Sequence, residues 1–330
     1  MSGATELVTC TRRDLRSGRS LVESVHAGHL VVLAPDGTRH ALGDPEHPTF
    51  VRSAAKPFQA AACLALLAEV EPATVAVLTD EEVAVAWASH RGEDRHLDAV
   101  RRLLARAGVD PAELTTPPAT AEARPGEPPS RLQYNCSGKH ALFALTGRAL
   151  GLAGPALLDP DEALQSAVLD HLTARLAPAP AVAVDGCGAP AVAVPLVALA
   201  RGFAGLWDDP DAERVVAAGL AHPGLVGGEG RLDSALLAAG VLAKVGAEGV
   251  YGASWRDGDG AAWGVALKVA DGAVRAADAA LRDLLVGAGV VPADTWVAPP
   301  VLGGGEAQGD VAAGAELAGL ADRLARFVGV

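Results

Sequence analysis

Short alternating runs of apolar and polar residues open the chain. Residues 7–11, 21–26, 29–34 and 38–42 carry strand patterns, and Pro35-Asp36-Gly37 supplies turn chemistry before the last of them. This spacing predicts an antiparallel meander. From residue 54 to about residue 69 the pattern changes, with Ala and Leu on every side, as expected of a buried helix. Thr79-Asp80-Glu81-Glu82 reads as the capped start of a short helix reaching Trp87, and a second helix over 96–107 is closed by Gly108. Further helices are predicted over 141–150, 161–176, 195–203, 212–221, 233–240, 274–286 and 315–327. Strands are predicted over 181–184, from Lys244, and over 253–255 and 262–269, the last two as a hairpin around Asp257-Gly258-Asp259-Gly260. Residues 115–130 form a loop that reads either as a mobile lid or as a connector.

Strands at both ends around a helical middle predict an α+β fold in which the terminal parts share one antiparallel sheet. The expected organisation is a single domain over 1–330, with a sheet subdomain of about 1–52 and 241–330 and a mainly helical part of about 53–240.

Charge and composition narrow the function. A formal net charge of −13 argues against a nucleic-acid partner, which calls for a basic patch. The first residues, Met1-Ser2-Gly3-Ala4-Thr5-Glu6, lack a basic start followed by an apolar stretch, and no apolar run approaches the roughly 18 residues of a membrane span. The expectation is a cytoplasmic protein without a membrane partner. Four cysteines, Cys10, Cys63, Cys136 and Cys187, are too few and too scattered for a secreted disulfide framework. The cluster at 222–233 lacks Gly-Lys-[Ser/Thr], so it is not a phosphate loop.

Candidate chemistry concentrates around the lysines. Only four of the 27 Lys and Arg residues are Lys: Lys56, Lys139, Lys244 and Lys268. Where Arg fills most cationic positions, a retained Lys marks a place where a group able to lose its proton is useful. Ser53 and Lys56 stand three apart in Arg52-Ser53-Ala54-Ala55-Lys56-Pro57, where an amine can take the proton of a hydroxyl and make it a nucleophile. The plain alternative is a helix-capping serine and a solvated lysine. Ser89 and His90 fall at a junction between helices, a position that suits capping as well as chemistry. Cys136 and Lys139 repeat the three-residue spacing in Tyr134-Asn135-Cys136-Ser137-Gly138-Lys139-His140, which holds the chain's one asparagine. Asp185-Gly186-Cys187-Gly188 follows a predicted strand and presents a carboxylate and a thiol at a sharp turn. Two polar-flanked cysteines, a lysine and a histidine suggest a closed site for which zinc is one candidate, although the spacing is not a Cys-x-x-Cys pattern. Taken singly, each cysteine also reads as a small buried hydrophobe. Lys268 reads as structural.

Five motifs occur in order: Arg-Ser-x-x-Lys-Pro at 52–57, Ala-Ser-His-x-x-Glu at 88–93, Asn-Cys-Ser-Gly-Lys-His at 135–140, Asp-Gly-Cys at 185–187, and Gly-Gly-Glu-Gly-Arg to Gly-Ala-Glu-Gly at 227–249. Together they resemble the class 3 L-asparaginases, the family of the inducible rhizobial enzyme, over roughly residues 5–275. The resemblance implies a serine β-lactamase-like fold, a homodimer and hydrolysis of L-asparagine to L-aspartate and ammonia. It implies Ser53 as nucleophile and Lys56 as its base, assisted through Ser89 and Lys244. Cys136, Lys139 and Cys187 match the family's zinc ligands, and Arg52, His140 and Asp185 would contact the metal's water or the substrate. Two other functions remain open on the residues alone: a β-lactamase-like, glutamine or peptide amidohydrolase using the same Ser-Lys pair, and a zinc-stabilised amino-acid binding protein without turnover.

Overall fold

The structure is a computed structural model that describes residues 3–179 and 181–327; residues 1, 2, 180 and 328–330 of the expected domain lie outside it. By contacts the chain forms two compact units. One comprises Met1–Thr49, Pro195–Ala204 and Ala239–Val330, and the other Phe50–Val194 and Gly205–Ala238.

In chain order, β1 (Thr5–Arg13), β2 (Ser20–Leu33), β3 (Arg39–Leu42) and β4 (Pro48–Phe50) lead into a 3-10 turn, Arg52–Ala55. The helices α1 (Lys56–Val70), α2 (Pro72–Ala76), α3 (Asp80–Ala86), α4 (Asp94–Ala107), α5 (Ser137–Ala149) and α6 (Ala163–Arg175) follow. Then come β5 (Ala181–Val184), β6 (Pro190–Pro195), α7 (Leu196–Gly205), α8 (Glu213–Ala221), α9 (Pro223–Val226) and α10 (Leu232–Ala238). The chain ends with β7 (Leu242–Gly246), β8 (Val250–Arg256), β9 (Ala262–Val269), α11 (Val274–Gly287), β10 (Val301–Gly303), β11 (Glu306–Gly309), β12 (Val311–Ala313) and α12 (Ala315–Leu324). The fold class is α+β.

The first unit is built on an antiparallel sheet of order β12-β1-β2-β9-β8-β7, with β3 also paired to β2. N-terminal and C-terminal strands therefore interleave: β2 pairs with β9 from Gly28↔Val269 to Leu33↔Gly264. Two runs read from sequence as separate strands, 21–26 and 29–34, are one 14-residue strand, because Ala27-Gly28 continues the ladder instead of turning. α11 and α12 pack on β1, β9 and β12. α7, which the sequence places in the helical middle, belongs to this unit; its Phe203 ring lies directly over Gly252 of β8.

The second unit is mostly helical. α1 is buried from Lys56 to Leu64 on all sides, which is why its apolar pattern has no face. It packs against α5, α6 and α8. α5 is buried from Ser137 to Gly147 and packs on α3 and α4. The capping box read at Thr79 and Glu82 is present, and Glu82 is also held by Arg106 at 2.7 Å. β5 and β6 form a hairpin from Ala181↔Ala193 to Val184↔Pro190, closed by the turn that carries Asp185 and Cys187.

Residues 115–130 are pinned along their length. Thr116 Oγ1 donates to the Arg131 carbonyl at 2.8 Å, Ala119 and Ser130 exchange backbone hydrogen bonds, and Ala121 N–H donates to Gln133 Oε1 at 3.0 Å. Arg124 reaches across to the Gly92 carbonyl at 2.7 Å. These bonds suit a connector that braces the segment after Ser89.

Among the described residues, no single helix is long and apolar enough to cross a membrane.

Candidate active site

The candidate residues of the second unit fall into three linked groups. The first starts at Arg52, one of two non-glycine residues with positive φ among the described residues, at +50°. That conformation costs on the order of 1–3 kcal/mol and is typical of positions where side-chain placement matters. It turns the chain from Val51, whose N–H donates to the Val192 carbonyl, into the 3-10 turn. The Arg52 guanidinium is then within reach of Asp185: Nε and Nη2 both approach Oδ1 at 2.8 Å, and the Gly186 N–H donates to the same oxygen at 2.7 Å. A pair 133 residues apart in sequence thus forms a charge-assisted fork at the β5–β6 turn.

The second group surrounds Lys56, the first residue of α1, which is 1% exposed. Its Nζ donates to the Ala88 carbonyl, lies 3.0 Å from Ser89 Oγ, and also interacts with the Cys136 thiol. Ser89 is held from its backbone by the Val226 carbonyl at 2.9 Å. Ser53 lies in the 3-10 turn, and α1 begins at Lys56 where the sequence pattern placed the helix start at residue 54. Its carbonyl accepts the Lys56 N–H, and its hydroxyl makes no hydrogen bond among the described residues. The hydroxyl that the structure sets against the amine is that of Ser89.

The third group is the thiol pair. Cys136 and Cys187 are 5% and 2% exposed; the Cys136 thiol donates to Asn135 Oδ1 at 3.2 Å, and the Lys139 amine donates to the Cys187 sulfur at 3.2 Å. All four cysteines of the chain are free thiols. The neighbouring Cys187, with the charges of Lys56 and Lys139, pushes the Cys136 thiol far below its ordinary range against the cost of burial. Cys187, beside the Cys136 thiol and itself buried, is pushed up. Burial opposes the charge on Lys139, but the two sulfurs outweigh it and raise its pKa. Two sulfurs in a buried space fit the donor preferences of a zinc ion, and the Lys139 amine beside them, an unusual ligand, would have to bind it neutral. Three or more His, Cys, Asp or Glu side chains do not cluster as a metal site among the described residues, so such a site would depend on Lys139.

His140 stands apart from these groups. Its Nδ1 is 2.7 Å from Thr115 Oγ1, and its Nε2 is buried with no hydrogen-bond partner among the described residues. Burial, with the charges of Lys139 and Lys56, holds it well below the usual histidine range. Lys244 lies on β7 in the other unit, fully buried, with Nζ donating to the Val245 carbonyl at 3.2 Å. Lys268 donates to the Glu248 and Val269 carbonyls, as a structural lysine would.

Two features escaped the sequence. The Tyr134 hydroxyl sits 3.4 Å from where a Cβ on Gly186 would stand. Burial, with Cys136, Cys187 and Asp185 nearby, pushes the phenol up to about 12. His90, read as a capping candidate, is instead fully inside, with Nε2 2.8 Å from Ser137 Oγ and its ring stacked on His96 at 5.2 Å. Its backbone N–H is tied to the Asn135 carbonyl at 3.2 Å, which joins the 88–93 and 135–140 motifs.

Buried neutral histidines make this unit sensitive to acid. Burial is the main cause that lowers His90, His96 and His171, the last to about 4. Unfolded histidines titrate near 6.5, so between there and about 4 the unfolded chain binds more protons, and stability falls as pH falls. The expected result is a Tm that drops steadily from pH 6.5 to 4 in a calorimetric pH series. A flat Tm over that window would mean that these rings titrate freely in the folded protein.

A hydroxyl on a buried amine is the equipment of an acyl-transfer hydrolase. The sequence profile of the L-asparaginase II family matches residues 14–313. The chain belongs to that family and is an amidohydrolase with a small-molecule substrate. No curated protein matches it. Among solved structures, a probable glutaminase from Bacillus subtilis complexed with 6-diazo-5-oxo-L-norleucine is 17% identical, over 74% of this chain and 78% of that one, with a TM-score of 0.34. Mglu, in its native form in 4.3 M NaCl, is 16% identical over 81% of this chain and 62% of its own, with a TM-score of 0.38. Likenesses this distant assign nothing to this chain.

Proposed function

We propose that the chain hydrolyses the side-chain amide of L-asparagine, releasing ammonia and L-aspartate. The observation that carries the mechanism is Lys56 Nζ at 3.0 Å from Ser89 Oγ, one 3-10 turn after Ser53, in a chain of the L-asparaginase II family. Ser53 Oγ attacks the amide carbon and its proton passes to the Lys56 amine. That proton returns through Ser89 to the departing nitrogen, which leaves as ammonia. Water, deprotonated by Lys56, then attacks the ester carbonyl, and Ser53 recovers its proton as L-aspartate leaves. Arg52 suits an α-carboxylate and Asp185 an α-ammonium, so the fork that joins them recognises a zwitterion. Ammonia release from L-asparagine by the purified protein tests this reading.

The same hydrogen bond favours a second reading in which Ser89 is acylated. Acid quench during turnover followed by peptide mapping separates the two, since the mass increase falls on the peptide of Ser53 or of Ser89. L-Glutamine is the competing substrate.

Zinc held by Cys136, Lys139 and Cys187 would act as a Lewis acid toward a carbonyl or fix the site. These ligands must lose protons to bind it, so zinc uptake is expected to release protons and to weaken as pH falls. Cys187→Ser is expected to lose most of the bound zinc by elemental analysis. Zinc content equal to wild type would contradict the assignment.

A further inference from the structure

We propose that Tyr134 is a substrate-binding residue: its hydroxyl and Arg52 together receive the α-carboxylate of the amino-acid substrate, above the bare face of Gly186. This rests on the reading of the protein as an asparagine amidohydrolase and names a contact which that reading does not contain. The geometry points to it in three ways.

First, the phenol is aimed at an open place. A Cβ built on Gly186 stands 3.4 Å from Tyr134 Oη and 3.9 Å from Arg52 Nη2, so hydroxyl and guanidinium flank the same point. Tyr134 itself is fixed, since its carbonyl accepts the Ser137 N–H at 2.9 Å at the start of α5.

Second, the charged groups beside it are only half used. Arg52 commits Nε and Nη2 to one oxygen of Asp185. Among the described residues no hydrogen bond engages Arg52 Nη1, Asp185 Oδ2 or Tyr134 Oη. The vicinity therefore offers one cationic donor, one anionic acceptor and one neutral hydroxyl. A free amino acid has a carboxylate that accepts from the first and third, and an ammonium that donates to the second.

Third, the arrangement sets a preference. A carboxylate accepts from both a guanidinium and a hydroxyl. A peptide-bonded or amidated α-carbonyl has no charge to offer Arg52. Arg52 and Tyr134 acting together thus favour free amino acids over peptides that carry the same side-chain amide.

The test is steady-state kinetics and calorimetry on Tyr134→Phe and Gly186→Ala. Loss of a hydrogen bond to a charged group weakens binding roughly tenfold or more. Tyr134→Phe is expected to raise KM for L-asparagine about tenfold with kcat little changed. It should weaken binding of L-aspartate alike, and leave the weak binding of L-aspartate α-amide as it is. Gly186→Ala has ordinary van der Waals room for its methyl, so its Tm should match wild type while the methyl intrudes between hydroxyl and guanidinium and raises KM. An unchanged KM in both variants, or equal loss for L-aspartate and its α-amide, would overturn the proposal. If the wild type released no ammonia, the asparagine reading would fail. Aspartate binding would still decide on Tyr134: weaker in Tyr134→Phe supports the contact, equal or absent binding overturns it.

Discussion

Ser53→Ala and Lys56→Arg are each expected to cut ammonia release from L-asparagine by about a thousandfold or more while the protein stays folded, because a positioned base alone contributes on the order of 10²–10⁴. The two substitutions fail for different reasons. Alanine removes the oxygen that becomes the ester. Arginine keeps the charge beside the Ala88 carbonyl and Ser89, but a guanidinium does not give up its proton, so no base remains. Ser89→Ala leaves nucleophile and base in place and removes only the relay, so a smaller loss is expected. If Ser89→Ala were the more damaging change and Ser53→Ala retained turnover, Ser89 would be the acylated hydroxyl. Wild-type rates in both serine variants would remove the mechanism altogether. Thermal melts of each variant separate lost chemistry from lost structure.

Gly138→Ala should have a large effect on stability. A Cβ there would stand 2.0 Å from the Val85 carbonyl oxygen, where α5 crosses α3, so the helices must separate. Overpacking of this kind costs about 3 kcal/mol. In a protein of this size that corresponds to a fall in Tm of roughly 4 °C. Cys136 and Lys139 flank this glycine, so zinc content should fall with it. A Tm within a degree of wild type would mean that α3 and α5 approach less closely than described. The glycine of the Asn-Cys-Ser-Gly-Lys-His string therefore answers to packing, although it sits among residues offered for chemistry.

The long elements were legible because their patterns are strong. α4 begins two residues before its expected start and ends where Gly108 closes it, and β5 falls on its expected residues. The sheet shared by the chain termini was legible too, from strands at both ends. The short strands were not. β6 follows a turn and is apolar throughout, and β10 to β12 are three or four residues each, too short for any period to show. The pairing of β12 is decided by a partner far along the chain, β1.

The site divides in the same manner. Scarcity of lysine drew attention to Lys56 and Lys139, and both are buried among polar partners. The spacing of Ser53 and Lys56 did not reveal that the amine would turn to Ser89, 33 residues away, and to Cys136. Nor could it show the Arg52–Asp185 fork, which exists only once the β5–β6 hairpin has formed. Tyr134 carries no motif of its own. Its importance follows from the missing side chain of Gly186, a relation between two distant residues.

The most direct test of the account is ammonia release from L-asparagine by the purified wild-type protein, with L-glutamine measured beside it. The account predicts release from asparagine, with a lower kcat/KM for glutamine and none of this activity in Ser53→Ala. No release from asparagine, or faster release from glutamine, would contradict it.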